Sequence, residues 1–294
     1  MNRYLLLLGA NLIIVLILSI IMAIFGIDSS TWLGFAFICL AFGLGGAFLN
    51  LQISIWIAKK WYGVIVIDEN SNNIHEKQNF LYNKCIELCE KANIKPAQIG
   101  VYNSNDINAF ATGPSSSKSL LAFSTGLLDQ MNEDEIEGVI AHEIGHVASG
   151  DMITMTLLQG IMNAFVIFAA RAVATIIDNY VDEEDGEGGW GLSIWGYWIL
   201  VWVLEIFFMF FVYILMSWVS RKREYAADAY SSRLVGKNKM IAALNALKSP
   251  IINEKESKRD SLVFSKINNT KKVYLFETHP HIDDRIMALN NLND

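Results

Sequence analysis

Four long stretches with little or no charge are separated by segments in which apolar and polar residues alternate at helical or strand spacing. Tyr4–Phe25, Trp32–Ala58, Met152–Ala170 and Leu192–Val219 each approach or exceed the ~20 apolar residues a helix needs to cross a hydrocarbon core. The second carries Gly43, Gly45 and Gly46, a face that lets another helix pack closely. The third is the shortest and is interrupted by Gln159, Gly160 and Asn163, so it either crosses the bilayer or only dips into it. The fourth is rich in aromatic residues and holds one charge, Glu205. A carboxylate there is expected to be protonated or paired between helices rather than to serve a proton or substrate path. The first run is too long for a cleaved leader, and no small-residue cleavage site follows it, so it reads as an uncleaved anchor.

Lys and Arg collect at one set of span ends: Arg3 before the first, Lys59 and Lys60 after the second, and Arg221, Lys222 and Arg223 after the fourth. The loop between the first two spans carries only Asp28. The loop between the last two carries Asp178, Asp182, Glu183, Glu184, Asp185 and Glu187, with Arg171 the single exception. This bias predicts that both termini and the block after the second span face the cytoplasm. Composition agrees, since 53% of the 294 residues are hydrophobic and 18% charged, against roughly 25% charged in soluble domains. The acidic run supplies most of the net charge of −7, leaving no basic surplus to hold nucleic acid. Three cysteines are too few for a disulfide scaffold and suit a reducing compartment. The expected organisation is two membrane helices in 1–58, a cytoplasmic block in 59–151, two further membrane helices around an acidic external loop in 152–219, and a second cytoplasmic block in 220–294.

Outside the membrane the pattern is mainly α with a small β-sheet or hairpin. Glu76–Ala92 has helical spacing in Phe80, Leu81, Ile86 and Leu88, and Pro96 lies beyond its end. Cys85 and Cys89 share one face of it and read as core residues rather than metal ligands. Ile99–Tyr102 reads as a short strand. Asn108–Thr112 and Leu120–Ser124 read as a hairpin joined by a turn over 113–118, and Pro114 favours an edge position.

The candidate chemistry lies in His142-Glu143-Ile144-Gly145-His146. The run from Asn132 to Ala148 carries helix-start signals, with Asn132 as N-cap, Glu133 and Asp134 in the first turn, and Glu135 placed to close a capping box. On a helix, His142 and His146 stand about 40° apart and about 6 Å along the axis, so both imidazoles reach one metal ion. Ile136, Ile140, Ile144 and Val147 form a buried stripe on the opposite side, and Gly138, Ala141, Gly145 and Ala148 form a small-residue face for another helix. Glu143 projects beside the metal, where a carboxylate takes a proton from a water acidified by the ion and passes it to a leaving amine.

A catalytic zinc takes three protein ligands and leaves one position open. The chain has five histidines, His75, His142, His146, His279 and His281. Glu224 supplies the third ligand more naturally. It shares a helix face with Asp228 at i, i+4, and Ala227 and Ser231 beside them let this helix press against the small-residue face. Asp228 then reaches a ligand imidazole N–H.

His142-Glu143-x-x-His146, Glu224-x-x-Ala227-Asp228 and the spans around them resemble the HtpX family of heat-shock-associated membrane zinc proteases, related to the CAAX-prenyl zinc endopeptidases. The likeness takes in Asn108-Ala109-Phe110-Ala111-Thr112-Gly113, Leu121-Ala122-Phe123-Ser124-Thr125-Gly126 and Thr278-His279-Pro280, which together cover most of the chain. It implies a four-span helical membrane protein with a cytoplasmic gluzincin-like metallopeptidase domain, one Zn2+ on His142, His146 and Glu224, and Glu143 as the base. Further implied are a place in the bacterial cytoplasmic membrane with the active site on the cytoplasmic side, and substrates among damaged membrane proteins or unfolded polypeptides. The related prenyl peptidases place a His and an Arg six apart to steady the oxyanion, which points to Arg285 with His279; whether His279 or His281 acts stays open. The resemblance also implies that Asn108, Ala109, Phe110 and Ala111 bind substrate by strand addition. A membrane zinc scaffold or sensor without catalysis is the other reading, and the intact Glu143 stands against it.

Overall fold

The computed structural model describes residues 31–68, 76–95, 97–184, 192–248 and 278–292. The first expected span, Tyr4–Phe25, lies outside them, as does His75. The elements run α1 (Trp32–Trp61), β1 (Ile65–Ile67), α2 (Glu76–Lys91), β2 (Gln98–Tyr102), β3 (Ala109–Ser115), β4 (Lys118–Ser124), α3 (Thr125–Gln130), α4 (Glu133–Ala148), α5 (Asp151–Glu184), α6 (Ile194–Val235), α7 (Lys237–Lys248) and α8 (Ile282–Asn290). The described residues fall into two compact units, one made of those up to Ser54 and within Met152–Met216, the other of those within Ile55–Asp151 and from Ser217 onward.

Within the first unit, α1, α5 and α6 are long and apolar enough to cross a membrane. The weak third stretch of the sequence belongs to a helix of 34 residues, well beyond the ~20 a span requires. α1 and α5 cross with their backbones touching at Gly43 and Gly160, where a Cβ on Gly160 would stand 2.8 Å from the Gly43 carbonyl. Phe35 stacks on Phe168 at the same pair of helices, with ring centroids 5.8 Å apart. Arg171 lies on α5 rather than in the external loop where the charge pattern put it. It donates to Glu205 of α6 at 2.8 Å, so each charge has its counter-ion between helices. Trp198, Trp202, Phe207 and Phe211 remain exposed on α6, as on a helix facing lipid.

The second unit is built on a four-stranded sheet in the order β1-β2-β4-β3. β1 and β2 are antiparallel, β2 and β4 parallel, and β4 and β3 antiparallel. β1 has no counterpart among the strands expected from the sequence, because three residues are too few to show alternation. The hairpin is present, and its strands run on to Ser115 and back from Lys118. A bulge between Thr112 and Ser115 absorbs the Gly113-Pro114 step that reads in sequence as part of the turn. Gly113 sits at φ 140, and a Cβ there would collide with the Lys118 carbonyl. β3 and β1 are the two edge strands.

α4 begins as its sequence predicts. The Asn132 side chain accepts from the Glu135 N–H at 3.0 Å, and the Glu135 carboxylate accepts from the Asn132 N–H at 2.9 Å. Ile136, Ile140, Ile144 and Val147 are buried, each contributing about 1.5–3 kcal/mol by leaving water. Cys85 and Cys89 of α2 are buried free thiols in the core, and burial pushes the Cys85 thiol well up. The small-residue face of α4 receives two helices. Gly138 lies against the backbone of α7 at Lys239, and Gly145 lies against Ala227 of α6. Ser231 of α6 donates to the Gly138 carbonyl at 3.2 Å, and Lys239 bonds the largely buried Glu137 at 2.8 Å. α8 packs on α7 through Met240, Leu244 and Leu289.

Candidate metal centre

Three donor groups converge where α4 meets α6. His142 and His146 occupy successive turns of α4, and Glu224 comes from α6, which approaches closely where Gly145 faces the Ala227 backbone. The two Nε2 atoms are 3.2 Å apart. His142 Nε2 is 3.6 Å from Glu224 Oε2, and His146 Nε2 is 3.5 Å from Glu224 Oε1. Donors bound about 2.0–2.1 Å from a tetrahedral ion stand roughly 3.3 Å from one another, so the spacing matches a single cation. Among the described residues this is the group of His, Cys, Asp and Glu side chains close enough to hold a metal.

The protons point the same way. His142 Nδ1 faces Asp228 Oδ1 at 3.0 Å, and His146 Nδ1 faces Asp151 Oδ2 at 2.6 Å. A carboxylate only accepts, so each imidazole carries its proton on Nδ1 and turns the Nε2 lone pair inward. Two such lone pairs and a carboxylate then face one another in a buried space. That arrangement is unfavourable unless a cation lies between them. The donor set of two imidazoles and one carboxylate fits a divalent metal of the zinc type.

Arginine organises the surrounding acids. Arg285 of α8 is buried and holds Asp228 with both prongs, Nε to Oδ2 at 2.7 Å and Nη2 to Oδ1 at 2.6 Å. Its Nη1 reaches Glu224 Oε2 at 3.1 Å. In the metal-free protein, where a proton takes the ion's place on the imidazoles, burial pushes the Glu224 carboxyl up, but bonds from His146 and His279 and the charges of His142 and Arg285 outweigh it and hold the group well below the usual carboxylate range. Asp228 is likewise held low against its burial by Arg285 and His142. Burial pushes His146 down, and the Glu224 and Glu143 carboxylates more than reverse this, leaving it raised. Arg223 of α6 bonds the outer oxygen of Asp151.

The residues singled out in the sequence fall as follows. His142, His146, Glu224, Asp228 and Arg285 form one contiguous cluster, and buried Glu143 lies beside it on α4. His279 touches the cluster through Nδ1, 3.2 Å from Glu224 Oε2, and half its side chain is open to solvent. His281 is the N-cap of α8. Asn108 precedes β3, where its carbonyl accepts from the Ser124 N–H at 3.0 Å, and Ala109, Phe110 and Ala111 lie on β3. Asp151 and Arg223 were not foreseen. Asp151 follows His146 across a helix break at Gly150, φ +68, so no helical spacing connects the two in sequence.

Convergent lone pairs of this kind, on a chain that also carries helices of membrane length, belong to a membrane-bound metallopeptidase. Protease HtpX of Shewanella piezotolerans is 45% identical to this chain over 290 residues, which is 98% of this chain and 99% of that protein. Protease HtpX of Shewanella oneidensis is 44% identical over 292 residues, 99% of this chain and 100% of that protein. The crystal structure of S. mikatae Ste24p shares the fold with a TM-score of 0.63 at 20% identity; the match takes in 96% of this chain, which spans 62% of the length of that one. The chain belongs to peptidase family M48, whose profile matches residues 75–293. The resemblance to the HtpX proteases drawn from the motifs therefore holds over nearly the full length.

Proposed function

We propose that this metallopeptidase is a zinc-dependent endopeptidase that cuts damaged or misassembled membrane proteins and unfolded polypeptides, with one Zn2+ on His142, His146 and Glu224. The observation that carries this reading is the set of 3.2–3.6 Å separations among three inward-facing donors, with the Nδ1 atoms of both imidazoles taken by Asp228 and Asp151. When bound, the ion supplies Lewis-acid activation of a water molecule and of the scissile carbonyl. Glu143 accepts the proton at its carboxylate and delivers it to the leaving amine nitrogen. Asp228 orients His142. His279, half exposed at the edge of the cluster, donates to the developing oxyanion. Arg285 was expected to share that task. With both edges of its guanidinium taken up by Asp228 and Glu224, it acts on the oxyanion only through its charge and holds the two acids in place.

Substrate adds to β3. The Asn108 carbonyl bonds the Ser124 N–H, and Ala109 is paired with Phe123, so in an antiparallel ladder the N–H groups of Ala109 and Ala111 point away from β4 toward the free edge. Backbone pairing along Asn108–Ala111 is tolerant of side chains, which suits an enzyme that removes many different damaged proteins. The distribution of Lys and Arg around the apolar helices supports a bacterial cytoplasmic membrane location with the domains of 59–151 and 220–294 and both termini on the cytoplasmic side.

Zinc content tests the centre. The purified chain should hold one ion, and His142→Ala, His146→Ala and Glu224→Ala should each hold far less; full zinc in all three variants would overturn the assignment.

A further inference from the structure

Around the three donors the structure builds the same support twice. His142 Nδ1 meets Asp228, and Asp228 is held by Arg285. His146 Nδ1 meets Asp151 at 2.6 Å, and the other oxygen of Asp151 is held by Arg223. We propose that Asp151 and Arg223 are positioning residues of the metal centre: Asp151 locks the His146 ring with Nε2 inward, and Arg223, the neighbour of Glu224 in sequence, ties that ring to the third ligand. The proposal rests on the metal-centre reading above.

Three features of the second arm argue for this role. The Asp151 side chain is 10% exposed, and an acid so placed is costly unless it is paired on both oxygens, as it is here. Its position is built by the local chain: Ser149 ends α4, Gly150 turns at φ +68, and the first residue of α5 is thereby brought to His146. The charges are also matched locally. Asp151 is paired with Arg223 and Asp228 with Arg285, so Glu224 is the one acid among the three donors that face one another. The competing role for Asp151 is that of an acid in the first turn of α5, favourable to the helix dipole and indifferent to the metal.

Zn2+ affinity of the detergent-purified full chain, measured by competition with a chelator, separates the two roles. It is read beside the melting temperature of the metal-free protein. Asp151→Ala should bind Zn2+ 10–100-fold more weakly, the usual effect of removing a carboxylate behind a ligand imidazole. Asp151→Asn keeps an acceptor for Nδ1–H and should stay within about tenfold of the unaltered chain, with Arg223→Met between the two. Unchanged affinity in Asp151→Ala, with only the metal-free melting temperature lowered, would overturn the proposal, as would Asp151→Asn binding no better than Asp151→Ala. His146→Ala serves as the control. If it too binds Zn2+ like the unaltered chain, the metal centre itself is refuted rather than its support.

Discussion

Replacing Arg285 with Met removes one guanidinium and leaves two acids with only histidine contacts. The Asp228 and Glu224 side chains are 2% and 8% exposed, so water does not compensate for the lost bonds at 2.6, 2.7 and 3.1 Å. Breaking a buried ion pair from one side costs about 3–5 kcal/mol, because the surviving charge is stranded. For a unit of this size each kcal/mol lowers the melting temperature by ~2–4 °C, so metal-free Arg285→Met should melt roughly 6–20 °C lower. Removing both partners discriminates further. Arg285→Met combined with Asp228→Leu should regain the part of that loss that comes from Asp228, since apolar groups of similar shape replace a buried pair at little cost, while Glu224 still lacks its Arg285 contact. It should not regain Zn2+ affinity, because His142 has lost its acceptor. Melting of the metal-free proteins and chelator competition together check both halves. A melting temperature for Arg285→Met within about 1 °C of the unaltered chain, with only turnover lost, would refute the clamp and favour direct oxyanion stabilisation.

Three other predictions follow from packing, titration and the strand edge. Gly138→Ala places a Cβ 2.6 Å from the Lys239 carbonyl, so it should destabilise by about 1–3 kcal/mol despite the better helix propensity of Ala. Gly145→Ala meets its nearest neighbour at 3.3 Å and should unfold almost normally while binding Zn2+ more weakly, because α6 carries Glu224; equal effects of the two in denaturant unfolding would contradict this. Binding a metal displaces a proton that the Glu224 and Glu143 carboxylates help His146 to hold, so affinity should fall by roughly tenfold per pH unit below that raised value. The lowered Asp228 and Glu224 contribute stability above the ordinary carboxylate value, about pH 4, which is lost only as pH falls through their depressed values; acid melts of the metal-free chain that weaken near neutrality would contradict that sign. Ala109→Pro removes an outward-facing N–H while leaving the β3–β4 ladder intact, so KM should rise with zinc content unchanged, and unaltered kinetics would count against strand addition.

The parts of the fold governed by local periodicity were legible in the sequence. The capping box at Asn132, the buried Ile stripe and the small-residue face of α4 all follow from 3.6-residue spacing, and the long apolar runs mark α1, α5 and α6 by length. What escaped depends on contacts without a period. Asp151 reaches His146 around a glycine turn, and Arg285 reaches Asp228 from 57 positions away. Arg171 read as the end of an apolar run because its partner, Glu205, lies on another helix 34 positions on. The small-residue face was anticipated as the seat of one helix, and it receives two because Gly138 and Gly145 lie two turns apart. The strand ends were misjudged where a bulge took in a glycine and a proline that ordinarily mark a turn.

Zinc-dependent cleavage of an unfolded casein-like polypeptide by the detergent-purified chain, run beside Glu143→Gln with bound zinc quantified in both, tests the central claim most directly. Glu143 is not among the donors that converge on the site, so the variant should keep its zinc and lose cleavage. Cleavage that persists in Glu143→Gln, or that proceeds equally after the metal is stripped, would contradict the account.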